Sequence, residues 1–167
     1  MLDIRLLGDP VLRQRAEVVE EIDDGLRELA EQMFEAMYMG EGIGLAAPQV
    51  GVLKRLFVMD IREDEVEPQA VVNPVIVEHS GLERGEEGCL SLPGLVGTVE
   101  RSARIVMEGL DPEGKPLRIE ASELLARCIQ HEIDHLDGIL FIDHLSPIKR
   151  KMLLSKWKKL QKEESRR

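Results

Sequence analysis

Between Leu26 and Tyr38 the apolar residues Leu26, Leu29, Ala30, Met33, Phe34, Met37 and Tyr38 fall at i, i+3, i+4, i+7, i+8, i+11 and i+12. That spacing predicts one face of an amphipathic helix, with Asp23 or Asp24 as N-cap and Gly40 and Gly42 closing it. The pattern then shortens. RLFVMDI (55–61), AVVNPVIVE (70–78) and RIVMEGL (104–110) are β-branched, apolar-rich runs of strand length. LDPEGK (110–115) has Pro followed two residues later by Gly, a tight turn leading into PLRIEA (116–121), so a hairpin is expected there. The helical rhythm returns in SELLARCIQHEIDHLDG (122–138), which starts on Ser122 as cap and stops at Gly138. A last helix begins with Ser146 as cap and Pro147 at its first position. Strands lying between one early and two late helices predict an α+β fold with antiparallel or mixed sheets, not alternating βαβ units.

Composition adds limits. The 167 residues (1–167) suit one domain, and no apolar run approaches the ~18 residues that a membrane crossing needs. MLDIRLLGDPVLRQRAE, at the N-terminus, has no sustained apolar segment and no small-residue cleavage site. A cytoplasmic protein with two unpaired cysteines is therefore expected. The net charge of −10 is unevenly spread: of 22 basic and 32 acidic residues, nine basic and two acidic lie in residues 149–167. An acidic body carrying a basic tail suggests a polyanionic partner for the tail.

The candidate chemistry lies in CIQHEIDHLDGILF (128–141). His131 and His135, four apart on a helix, point to one side and can share a metal ion, while Glu132 beside them can move a proton to and from a bound water. Without a metal, the same residues would be two surface imidazoles and a solvated acid. A further ligand is needed, and Phe141 stands where one large class of such sites has a third His. His79, His144, Cys89, Cys128, Glu163 and Glu164 are the candidates. Cys128 lies in the apolar run LLARCI and reads as core. His79 sits in the polar turn EHSGLERGEEG, His144 follows a strand-like ILFI, and Glu163 and Glu164 lie in a charged terminus. Cys89, between Gly88 and LSLP, ranks first. A Cys-His-His set with one open position is a catalytic site, whereas a buried thiol that binds nothing is the competing reading.

GEGIGLAAPQVG (40–51) contains G-x-G-x-x-A, but it follows a helix and leads through Pro48 into a strand. A dinucleotide fingerprint needs the opposite order and is excluded. The expected role is a loop that lets backbone approach an extended substrate, with Gln49 offering an amide donor to a developing oxyanion.

GIGLAAPQ (42–49), EGCLS (87–91) and QHEIDHLDG (130–138), in this order and spacing, resemble the three motifs of the peptide deformylases, and the resemblance runs over nearly the whole chain. It implies that Cys89, His131 and His135 are the metal ligands, on a central helix wrapped by the sheets. It implies Glu132 as acid/base, and Gln49 with the backbone N–H of Leu90 as oxyanion donors. Gly44 becomes a backbone contact to the substrate, and Ile43, Glu87, Gly88, Leu124 and Cys128 lie by a methionine pocket. The implied reaction removes the formyl group from N-formyl-methionyl nascent peptides, with one divalent ion, ferrous iron first and zinc, nickel or cobalt as substitutes. Two departures from the family stand out. Arg127 occupies a position that is apolar in many relatives and is expected to alter or shrink the pocket wall, and Gly85 and LVGTVER also differ from several relatives.

Two rival functions remain. A zinc endopeptidase would need a third His or Glu downstream, and a metal-stabilised binding module would need a closed four-ligand site. For the tail, Leu153, Leu154, Trp157 and Leu160 at helical spacing fit a helix packed on the body, whose lysines could dock on ribosomal RNA near the nascent-chain exit. A monomer that does not enter membranes is expected.

Overall fold

A computed structural model describes residues 1–166. Arg167, the last residue of the basic tail, lies outside the described residues. The first helix, α1 (Asp24–Met39), starts where Asp23 Oδ1 accepts a hydrogen bond from Leu26 N, supplying a partner that the first turn lacks. Its apolar face, including Leu26, Met33 and Met37, is buried. Gly40 follows in right-handed geometry. It therefore closes α1 without using a left-handed conformation, and its lack of a side chain serves a different purpose: a Cβ there would lie 2.9 Å from Leu90.

Five strands form one antiparallel sheet in the order β1 (Gly44–Ala46), β2 (Leu56–Met59), β3 (Gln69–Ser80), β6 (Arg104–Leu110), β7 (Pro116–Ser122). The expected hairpin is β6–β7, in register from Arg104↔Ser122 to Leu110↔Pro116. Alternation along β2 divides the interior. Leu56 and Val58 join α1 in one apolar cluster, whereas Phe57 and Met59 join Ala126, Ile129 and Leu136 of α2 (Glu123–Leu136) in another. The sheet thus has a helix on each face, which explains why all four β2 residues are buried.

A second sheet departs from the sequence-based expectation. β4 (Glu83–Gly88) and β5 (Val96–Arg101) pair antiparallel, where a polar turn and an unassigned stretch were expected. His79 likewise falls within β3, not in a turn. The ILFI segment expected to be extended gives way to a 3-10 turn over Phe141–His144, because Leu140, Phe141 and Ile142 are all buried in a third cluster with Leu92, Leu95 and Val99. Trp157 of α3 (Pro147–Ser165) enters the same cluster and Leu153 and Leu160 pack against it, so the tail helix sits on the body by a narrow apolar face while most of its surface is exposed. Ser146 Oγ accepts from Lys149 N at its start. Ser122 occupies the N-cap position of α2, but its side chain makes no capping bond. At the other end of α2, Gly138 has φ +75°, and a Cβ there would lie 2.6 Å from the Arg13 carbonyl, so both conformation and space require glycine.

Candidate metal centre

Helix α2 carries His131 and His135 one turn apart, and the end of β4 delivers Cys89 to the same point. Cys89 Sγ lies 3.3 Å from His135 Nε2, which lies 3.2 Å from His131 Nε2. The three donor atoms all fall within 4.8 Å of one another. Ligand bonds of about 2.0–2.3 Å at tetrahedral angles separate donors by roughly 3.3–3.6 Å, so the cluster is close to the geometry of a single ion. A tetrahedral ion held by these three donors would keep one position for water or substrate. Cys128, His79, His144, Glu163 and Glu164 are not in this cluster.

Of the three possible ligands, His131 is oriented by its neighbours. His131 Nδ1 lies 2.9 Å from Glu87 Oε1, which fixes Nδ1 as the N–H donor and leaves Nε2 free to bind metal. Glu87 is buried, and Arg101 reaches it through Nε and Nη2, both at 2.8 Å. Burial alone would raise the Glu87 pKa; the hydrogen bonds and charges of Arg101 and His131 outweigh it and hold the acid well below the usual carboxylate range. Arg101 also pairs with Asp134, which accepts from His144 Nε2 at 2.8 Å. Burial disfavours the His131 cation, yet Cys89, Glu132 and Glu87 together raise its pKa well above the ordinary value. Burial and the charge of His131 hold the His135 pKa well below its ordinary value, so His135 offers a neutral Nε2.

Glu132 is placed differently. It is 3% exposed, its Oε1 has no partner among the described residues, and burial pushes its pKa up to about 7. The other oxygen lies where a Cβ on Gly44 would approach within 2.5 Å, so glycine at that position makes room for the carboxylate as well as for backbone approach. Gln49 is buried with its amide sense fixed: Oε1 accepts from Ala46 N at 2.9 Å, and Nε2 donates to Ser91 Oγ at 3.0 Å and faces Cys89 Sγ at 3.5 Å. The Leu90 side chain fills the space above Gly42, whose Cβ would lie 2.7 Å away. Cys128 donates to the Ile43 carbonyl at 3.6 Å, and burial raises its pKa well above that of a free thiol, so it is a neutral wall residue.

A cavity of about 400 Å³ opens beside these groups. Every site residue expected from the sequence lines it except His135, which sits behind. Two expectations change in detail. Glu87 lines the cavity, but its carboxylate is engaged by His131, Arg101 and Arg127. Arg127 does not project its charge into the cavity: Nη1 donates to Glu87 Oε2 and to the Val99 carbonyl, and Nη2 to the Glu83 carbonyl, all at 2.8 Å. Arg101, Asp134 and Ser91 were missed, and so was the wall formed by Leu95 and Val96. No local pattern marks an arginine that meets an acid fourteen residues away. The SLPGLV stretch after Cys89, alternately small and apolar, is the one signal that could have marked that wall.

The family model of the polypeptide deformylases matches residues 1–151. This chain belongs to that family. The peptide deformylase of Hydrogenovibrio crunogenus is 51% identical over 164 residues, covering 98% of this chain and 97% of its own. Among solved structures, a peptide deformylase from Legionella pneumophila has a TM-score of 0.94 at 46% identity, covering 100% of this chain and 99% of its own. One from Synechococcus elongatus, in complex with actinonin, has a TM-score of 0.89 at 46% identity over 93% and 86% of the two chains. Family membership makes this chain a metal-dependent enzyme that removes the formyl group from formylated nascent peptides. Neither an endopeptidase nor a binding module is supported. No helix among the described residues is long and apolar enough to cross a membrane.

Proposed function

We propose that Cys89, His131 and His135 hold the ion and that Glu132, Gln49 and the Leu90 N–H carry out the deformylation. The observation that carries this reading is the convergence of one thiol and two Nε2 atoms beside a buried, unpaired glutamate whose pKa is near 7. A divalent metal supplies there a water of lowered pKa and a Lewis acid for the formyl oxygen. Glu132 accepts the proton as the water oxygen attacks the formyl carbon. Gln49 Nε2–H and the Leu90 N–H donate to the oxyanion, each such donor being worth about 3 kcal/mol. Glu132 returns its proton to the amide nitrogen as the C–N bond breaks, which releases formate and the free methionyl amine.

The methionine side chain enters the cavity between Ile43, Leu124 and Cys128, and the peptide backbone lies along Gly44. The Synechococcus relative is solved in complex with actinonin, which supports a ligand-binding site in a chain of this fold. Ferrous iron is the proposed native metal, since thiolate with two imidazoles suits iron, zinc, nickel and cobalt and the family resemblance favours iron. We further propose a cytoplasmic monomer of one domain, whose tail helix docks on ribosomal RNA. Exposed Lys151, Lys156 and Lys159 beside Ile148 and Met152 support that surface. Reversing those three lysines to Glu should weaken ribosome binding and flatten its salt dependence, and unchanged binding rejects it. The reaction itself is tested by formate release from N-formyl-methionyl-alanyl-serine, using protein purified without oxygen and loaded with ferrous iron. Wild type should release formate and Glu132→Ala should not. A normal rate in the variant rejects the assignment of Glu132.

A further inference from the structure

We propose that Arg127 and Gly85 act as one unit that sets the side-chain wall of the substrate cavity and steadies His131 through Glu87. The inference rests on the reading of this cavity as the methionine site. Arg127 is buried on α2, yet all three acceptors of its guanidinium belong to the second sheet: Glu83 O and Glu87 on β4, and Val99 O on β5. Gly85 pairs with Val99 in that hairpin. A Cβ at residue 85 would lie 2.9 Å from Arg127 Cζ, 2.9 Å from Nε and 3.0 Å from Nη2. The bare backbone at Gly85 is therefore the seat of the guanidinium. The two residues form one arrangement: a charged residue is accommodated in the wall because the residue above it has no side chain.

Two consequences follow. With the guanidinium held against the hairpin by three bonds, what Arg127 presents to the cavity is its methylene stem, an unbranched apolar surface that suits an unbranched apolar side chain. The same guanidinium also grips Oε2 of Glu87, whose other oxygen faces His131 Nδ1. The buried group is balanced, Arg101 and Arg127 against Glu87 and Asp134. Any change that shifts Arg127 is felt both in the wall and in the ring of a ligand, so Arg127 is a positioning residue and a determinant of specificity.

The test compares kcat/KM for N-formyl-methionyl-alanyl-serine with that for N-formyl-phenylalanyl-alanyl-serine in wild type, Arg127→Met, Arg127→Lys, Gly85→Ala and the double variant Gly85→Ala/Arg127→Met. The cobalt(II) visible spectrum is recorded for each. Arg127→Met and Gly85→Ala should each lower the methionyl preference by about tenfold, chiefly through KM, and shift the cobalt bands, with Arg127→Lys restoring part of the preference. In the Arg127→Met background, Gly85→Ala should move the preference by less than about twofold, because no guanidinium remains for the new Cβ to meet. Additive effects of the two substitutions overturn the proposal, and where Arg127→Met does not fold, an unchanged preference and spectrum in Gly85→Ala overturns it alone. A wild type without any preference rejects the cavity reading itself, which separates that failure from this one.

Discussion

Two buried carboxylates lie near His131, and their surroundings could hardly differ more. Glu87 receives two arginines and an imidazole and stays ionised far below the usual pH range. Glu132, on the next residue of α2, has one oxygen without a partner and a pKa near neutrality. Burial of both side chains has thus produced opposite outcomes, because a charge removed from water is tolerated only where partners replace the water. The satisfied acid is a structural strut. The unsatisfied one can gain and lose a proton at neutral pH, as a general acid/base must. Removing each should therefore harm different properties.

The largest effect is expected at Glu132. Glu132→Gln should lower kcat by about 10³ to 10⁴ while cobalt binding and the folded state persist, since the side chain holds nothing else in place. Metal analysis beside turnover checks this, and a variant that loses metal and activity together would make Glu132 a structural residue after all. Glu87→Gln should do the reverse. It leaves Arg101 and Arg127 buried against a neutral amide, a loss of about 3–5 kcal/mol of stability, read as a lowered denaturation midpoint. A midpoint within about 1 kcal/mol of wild type would mean that water replaces the carboxylate there.

The pH dependence of the metal-free protein sharpens the contrast. The Glu132 carboxyl titrates near 7 when folded, against an ordinary 4.5. Its folded pKa is the higher one, so its contribution to stability is fully present below about pH 4.5 and is lost as the pH rises through 7. At 1.36 kcal/mol per unit that loss is about 3 kcal/mol. Glu132→Gln should lack it, so the gap between variant and wild type should widen from pH 5 to pH 8 in urea titrations. A constant gap would show that the acid is paired in solution.

Helices and sheet were legible to the degree that their burial is apolar. The i, i+3, i+4 rhythm of α1 and the capped start of α3 are signals that need no tertiary knowledge, and the β6–β7 hairpin followed from its Pro-x-Gly turn. The β4–β5 hairpin was not legible, because ERGEEG shows no apolar alternation: its one buried residue is Glu87, held inside by arginines from β5 and α2. Long-range ion pairing leaves no local period. The residues of the proposed metal site were visible because their chemistry is rare at that spacing, and Cys89 could be ranked first. Its meeting with His135 depends on the same hairpin that the pattern failed to reveal.

A third glutamate completes the comparison and carries the smallest effect. Glu123 is the first residue of α2, exposed, with φ +54°, a left-handed conformation at the head of the helix that carries His131 and His135. For an L-residue that conformation costs about 1–2 kcal/mol. Replacing Glu123 by Gly relieves the strain but frees the unfolded chain and removes a charge that favours the helix start, so the net change from wild type should be small. The informative contrast is between Glu123→Gly and Glu123→Ala, which lose the same charge. Ala is better than Gly by about 1 kcal/mol in an ordinary helix position. Here the order should invert, with Gly the more stable by about 1 kcal/mol in chemical denaturation. If Ala is the more stable, α2 starts in solution with regular geometry, and its first turn contributes no strain to the segment that leads to Arg127 and His131.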